Sequence, residues 1–465
     1  MSADRKTFKR RMGECLFALA VGLLLTMMME WAVGEDFMTR QQARAYAPIA
    51  GITYGEGSRD DIRVLLIDDA ALAAAGQEWP ARYSYSARLL RAVGQYQPKA
   101  VFVDIYYSAR RDDESLRSLI DQVCALHAQG TRVFMATARN RDQQYSLRPE
   151  LEALAGRCFE KVAVSYTPDE LDRLAWTYNL GTPGAGHGAA GLKSAALALY
   201  ETSGKTVPVE HHAMALTWGS HSAAHGVDWV VNNPETGKPT SYCRNTLGLG
   251  ELMPPGMRSS FYTDGDKPIC VFHETIRAGA LASTTPEEDA HLRQLIAGKV
   301  VLIGTALSDS NDLVLSPLHG RIPGVYLHAM ALDNLMNFGE DYARAMHLSF
   351  DVSNIKLLLF LVVAMVLVTL LPKQLMEWLG WSLARKPAGK HDWRGAARYL
   401  LSCVVRVLLS LAVGCLLLWI GQYWLGLGFL SIINVMVLTM LAEWFDFNEK
   451  LLDYIFPHLE APEAH

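Results

Sequence analysis

RVLLIDDAALAAAGQEWPARYSYSARLLRAVGQYQPKAVFVDI, residues 63–105, is the stretch whose reading decides the fold. Its ends, Arg63 to Ile67 and Ala100 to Ile105, are short runs rich in β-branched residues without polar alternation, the pattern of strands buried on both faces. Between them Tyr85 to Val93 carries apolar residues at helical spacing. Strand, helix, strand in that order calls for two parallel strands joined by a crossover.

The pattern continues outward. Arg132 to Ala136 and Lys161 to Val164 read as further strands, with a helix over 113–128 before the first of them. Gly298 to Gly304 (GKVVLIG) supplies a late strand, and Val325 to Met336 the helix after it. The expected fold is therefore α/β: one domain with a mainly parallel sheet flanked by helices. Over 202–297 the periodicity weakens among prolines and glycines, as in NNPETGKPTSYCRN (232–245), so this stretch is expected to decorate the sheet.

The chain has 465 residues, 50% apolar and 20% charged, too apolar for an ordinary soluble protein and too polar for one lying wholly in a membrane. Glu14 to Val33 is about 20 residues of apolar sequence, enough to cross a hydrocarbon core, and Arg5, Lys6, Lys9, Arg10 and Arg11 before it hold residues 1–13 in the cytoplasm. A cleaved signal peptide is the rival, with Ala32-Val33-Gly34 as its site. Apolar runs return at 355–372, 399–420 and 425–444. Between the first two, loop 373–398 carries Lys373, Arg385, Lys386, Lys390, Arg394 and Arg398, a cytoplasmic signature. The expected arrangement is four membrane helices, one before and three after an external domain at 34–353, with a cytoplasmic tail at 445–465. That places the main domain outside the membrane and both termini in the cytoplasm. Arg406 in the third span and Glu443 in the fourth could pair across helices, or Arg406 could snorkel to the headgroups. Four spans without a chain of intramembrane acids or an interrupted helix argue against a transporter.

The formal charge of −5, without a long basic block, excludes nucleic acid as a partner. Seven cysteines form no CxxC pair. Of the external four, Cys243 and Cys270 flank loop-rich sequence and are the expected bridge, while Cys124 and Cys158 fall at helix positions and read as buried thiols. Asp68 and Asp69 close the first strand and Asp104 the second, while Asp309 and Asp312 lie just beyond the late strand. In an open parallel sheet the carboxyl ends of strands line the crevice where ligands bind. These carboxylates could hold a divalent cation or a small cationic ligand, or they could cap helices and bond loop amides. GHGAAGLKS (186–194) resembles a phosphate loop, but Leu192 separates its last glycine from Lys193, so a flexible loop is expected. His211, His212, His221 and His225 lack a carboxylate or cysteine at ligand spacing and read as solvated loop. The spacing assigns no catalytic residue, cofactor or resident metal.

VLLIDDAAL (64–72), Trp79-Pro80-Ala81-Arg82 and KAVFVDIYYS (99–108) resemble the opening of the type 2 CHASE sensor domain, an extracellular module often attached to bacterial cyclases and histidine kinases. GKVVLIGTALSDSNDLVLSPL (298–318) and PGVYLHAMALDNLM (323–336) resemble its closing signature. The resemblance implies a periplasmic ligand-sensing or interaction domain, and such proteins share the arrangement of one span before and three after. Relatives commonly continue into a catalytic domain, whereas residues 445–465 are too few for one. Two functions follow: a sensor acting through a separate partner, or a non-enzymatic scaffold subunit of an envelope complex. Either implies the lipid bilayer and a homo-oligomer or hetero-complex as partners, with a small molecule or protein as periplasmic ligand. The tail, with Phe447, Leu451, Leu452, Ile455 and Leu459 near helical spacing, could dock on such a partner.

Overall fold

The computed structural model describes residues 35–137, 145–164, 166–182, 191–207, 213–223, 230–232, 239–241, 243–245, 267–282, 285–308, 312–345, 360, 363–364, 367 and 393–426. The chain divides into two compact units, Ala47–Tyr342 and the remainder, Met1–Tyr46 with Ala343–His465.

Ala47–Tyr342 is built on a six-stranded sheet. Its strands are β1 (Ile62–Asp68), β2 (Ala100–Val103), β3 (Arg132–Thr137), β4 (Glu160–Ala163), β5 (Thr275–Arg277) and β6 (Val300–Ala306). Their order is β4-β3-β2-β6-β1-β5, and every pairing is parallel. The last strand thus enters between the first two, with Leu302 aligned to Val64 on one side and Phe102 on the other. β2 is buried throughout, and β1 and β6 at all but their final residues. Helices on both sides of the sheet remove the alternation that a one-sided strand would show.

On one face Leu65, Ile67, Val101, Val103, Val301 and Ile303 pack with α3 (Tyr83–Gly94), α4 (Leu116–Ala128) and α6 (Pro286–Ile296). The other face carries α5 (Ala195–Tyr200) and α7 (Val325–Phe338). Gly304 lets α7 approach: a Cβ there would stand 2.6 Å from Val325 Cβ. The short helix α2 (Asp69–Ala74) follows β1, and a hairpin of β7 (Leu313–Ser316) and β8 (Gly320–Pro323) joins β6 to α7.

Two features depart from the sequence reading. The stretch 202–297 contributes edge strand β5 and α6 to the sheet itself. A capping box signals α6, with Thr285 accepting from Glu288 N and Glu288 accepting from Thr285 N. Cys124 and Cys158 are joined rather than free, and Cys243 is joined to Cys270. A helical cysteine can bridge when a loop brings its partner alongside, which local pattern does not reveal.

In the other unit, α1 (Glu35–Ile52) runs across the boundary between units, and α8 covers Trp393–Trp424. Among the described residues α8 is the one helix long and apolar enough to cross a membrane, through Val407–Trp424. It exposes Leu400, Leu401, Val404, Leu408, Leu411 and Leu416, a surface suited to lipid. It starts inside the expected basic loop and passes the expected end at Ile420. Gly421 alone does not break a helix, and the turn comes at Gly426, whose φ of +62° suits glycine. The expected spans 14–33, 355–372 and 425–444 lie outside the described residues except for helical positions 360, 363, 364 and 367 and the turn at 425–426. Arg406 lies on α8, while Glu443 and the whole tail 445–465 are outside the described residues.

Candidate functional site at the carboxyl edge of the sheet

β1 sends its following helices to one face and β6 sends α7 to the other, so the loops beyond β1, β2 and β6 diverge around a switch point, where such sheets bind ligands. The five aspartates expected there take different roles. Asp68 caps α2, its Oδ1 accepting from Ala71 N at 2.8 Å, and its Oδ2 lies 4.0 Å from Arg277 Nη1. Asp69 Oδ2 accepts from Ser308 N at 2.9 Å, tying α2 to the loop after β6. Both carboxylates are thus used locally. Asp309 lies outside the described residues.

Asp104 and Asp312 lie within each other's electrostatic field instead. The Asp104 amide donates to Ile303 O at 2.8 Å, continuing the β2–β6 ladder one residue and fixing the side chain at the strand ends. That side chain is only 8% exposed. Burial raises its carboxyl well above the usual range, and the Asp312 charge adds to the rise. Asp312, an exposed residue, precedes the hairpin, and its carboxylate lies against Gly324: a Cβ on Gly324 would meet Asp312 Oδ1 at 2.5 Å. Desolvation raises the Asp312 carboxyl as well. Tyr106, two residues beyond Asp104 and 49% exposed, is within the field of both carboxylates and of Tyr145.

Sequence reasoning missed the group beneath them. His328, in the first turn of α7, is 5% exposed and holds Nε2 3.8 Å from Asp104 Oδ2, beyond hydrogen-bond reach. Its Nδ1 is 2.8 Å from Tyr178 Oη. Tyr178 Oη also accepts from Ala196 N at 3.4 Å. Burial lowers the imidazole to about 3, so the ring is neutral at physiological pH. A single histidine in the apolar helix VYLHAMALDNL was the available signal.

Lower on α7 stands a second polar cluster. Asp333 is fully buried; Oδ1 accepts from Tyr54 Oη at 2.6 Å and Asn337 Nδ2 at 2.7 Å, and Oδ2 is 3.2 Å from His273 Nε2. Asn334 closes a pair of bonds with Thr217, receiving its N–H and donating to its carbonyl, each at 3.0 Å. The network binds the segment after α1 to α7.

The remaining motifs find ordinary uses. Ser194 caps α5 by accepting from Leu197 N, and Lys193 pairs with Glu201. His221 Nδ1 lies 3.6 Å from Glu56, whereas His211, His212 and His225 are outside the described residues. Among the described residues no group of three or more His, Cys, Asp or Glu is arranged to hold a metal ion.

A parallel sheet covered on both faces by helices defines an α/β domain. The CHASE2 domain family matches residues 15–371, more than three quarters of the chain, and the chain belongs to that family of sensory extracellular domains. No curated protein and no solved structure matches it.

Proposed function

We propose that the chain is a bacterial inner-membrane sensor and transducer. Its CHASE2 domain lies in the periplasm, takes a ligand or envelope protein at the Asp104–Asp312 rim, and acts through a separate partner rather than by chemistry of its own. The observation that carries this reading is Asp104, a buried carboxylate whose side chain makes no hydrogen bond among the described residues and which a second carboxyl opposes. A charge so placed destabilises an empty domain, and such arrangements concentrate where function uses them. Two disulfides suit an oxidising compartment and support the periplasmic assignment.

Helix α7 is the route by which the rim reaches the membrane. It carries His328 under the rim and Asp333 in the network that grips Tyr54, just beyond α1. In sequence, α1 follows the first expected span and α7 precedes the second. A ligand moves this system only if it binds one setting of α7 more tightly than another. The basic loop 373–398 and the tail are the faces a cytoplasmic partner would read.

Hydrogen exchange on the full chain in nanodiscs tests the reading, comparing wild type with Asp104→Asn, which removes the rim charge at nearly constant shape. Sensing requires altered protection at residues 53–58 and in the later turns of α7. Changes confined to 100–107 would sink it and favour the scaffold subunit. Protease added to spheroplasts should cut within 47–342; resistance there, with cleavage from the inner side, overturns the location.

A further inference from the structure

The two disulfides of the external domain are not equally sheltered. Cys243 and Cys270 are 6% and 1% exposed, so that bridge lies in the interior. Cys124 and Cys158 are each only half-buried. Cys158 packs against the apolar core, whereas Cys124 lies outside that core and off the buried stripe of α4, which is Leu119, Gln122, Val123 and Leu126. A thiolate must reach a sulfur to break a disulfide, and bridges open to solvent are the ones that exchange.

What this bridge holds gives its opening a consequence. It ties α4 to the turn before β4, the strand that ends the sheet on that side. The chain leading up to Cys158 is held to the segment that follows the candidate site, because Arg148 N donates to Tyr107 O at 2.9 Å. Arg148 Nη1 also donates to Tyr83 Oη at 2.7 Å, at the start of α3. Leu147 and Leu151 seat the same stretch in the core, 6% and 0% exposed. Tyr107 lies three residues beyond Asp104. The bridge therefore clamps one end of a stretch whose other end borders the site.

We propose that Cys124–Cys158 is a thiol–disulfide exchange site for a dithiol, and that opening it releases residues 145–158 from α4 while Cys243–Cys270 stays closed. One thiolate of the dithiol attacks Cys124 Sγ and forms an intermolecular S–S bond. The electron pair of the broken bond leaves with Cys158 Sγ, which takes up a proton. The second thiolate of the dithiol then attacks the dithiol's own sulfur in the mixed disulfide, and Cys124 departs and is protonated in turn. The protein disulfide gains two electrons, and the dithiol loses two and ends as a disulfide. No group of the Asp104 site takes part, so the exchange stands independently of the sensor reading above.

Timed reduction of the full chain in nanodiscs with dithiothreitol tests this, followed by alkylation and peptide mapping. Cys124 and Cys158 should become alkylated about tenfold or more faster than Cys243 and Cys270, at a rate proportional to the dithiothreitol concentration. Glutathione, a monothiol, should leave its first adduct on Cys124. Hydrogen exchange on the opened protein should show lost protection across 145–163, with β1 and β6 unchanged. The Cys124→Ser/Cys158→Ser double variant should give the same pattern without reductant, its near-ultraviolet circular dichroism certifying the fold. Where that variant does not fold, the reduced wild type decides. Equal rates at the two bridges, earlier opening of Cys243–Cys270, a rate independent of thiol concentration, a first adduct on Cys158, or unchanged exchange across 145–163 each overturns the proposal.

Discussion

His328 and Asp333 sit five residues apart on α7, about 7.5 Å along one helix, yet their surroundings follow opposite rules. Around Asp333 each carboxylate oxygen has a partner at 3.2 Å or less, and Tyr54, Asn334 and Asn337 satisfy one another. Around His328 one nitrogen is bonded and the other faces a carboxylate at a distance too long for a bond. A completed buried network fixes a single arrangement, whereas an incomplete one carries a cost that a ligand can relieve. The same helix thus joins a rigid grip to a site left open.

The largest way to break this contrast is Asp333→Ala. It strands the Tyr54 hydroxyl, the Asn337 amide and His273 in the interior, and should cost about 3–5 kcal/mol in urea unfolding of the external domain. Next comes the seat both clusters share. Gly304→Ala forces a methyl against Val325 and should cost about 1–3 kcal/mol, lifting α7 at its first turn.

A pH series sharpens the contrast further. Buried His328 and His319 are held down to about 3 and about 4, so between roughly pH 6.5 and 4 the unfolded chain takes up protons that the folded domain refuses. Stability should therefore fall with pH across that window, by up to about 1.4 kcal/mol per unit for each histidine. Asp104 and Asp312 act in the opposite sense. Their raised carboxyls favour the fold at low pH and lose that contribution as pH rises from the ordinary carboxylate range through the raised value. His328→Gln should make the acid-side fall shallower, and Asp104→Asn should make it steeper. The smallest effect has the reverse sign from the first. At pH 7.5 Asp104→Asn should stabilise the domain by about 1 kcal/mol, the usual yield of removing a functional strain. A loss on that substitution would mean that the rim is as complete as the network below it.

Much of the fold was legible because strands β1, β2, β3 and β6 are continuous apolar runs, α3 and α4 are strongly periodic, and α7 is a long apolar run after the late strand. β5 was not, since three residues of edge strand with an exposed Arg277 carry too little pattern to stand out. Of the candidate site, the crevice rule located Asp104 and Asp312 from strand ends alone. It could not separate them from Asp68 and Asp69, because cap and ligand positions share the same residue type and differ only in which amide lies nearby. His328 was illegible for another reason: its role depends on Tyr178 and Asp104, 150 and 224 positions away, and no local spacing encodes such a meeting.

The placement of β6 has a consequence for how the polypeptide is made. β1 and β2 are each other's neighbours only through a strand that emerges ~200 residues after them, an interval of about 10–40 s at ordinary synthesis rates of ~5–20 residues per second. Throughout that interval both are greasy ribbons with an unclaimed edge, so the nascent chain needs a chaperone's shelter until its final strand slots home.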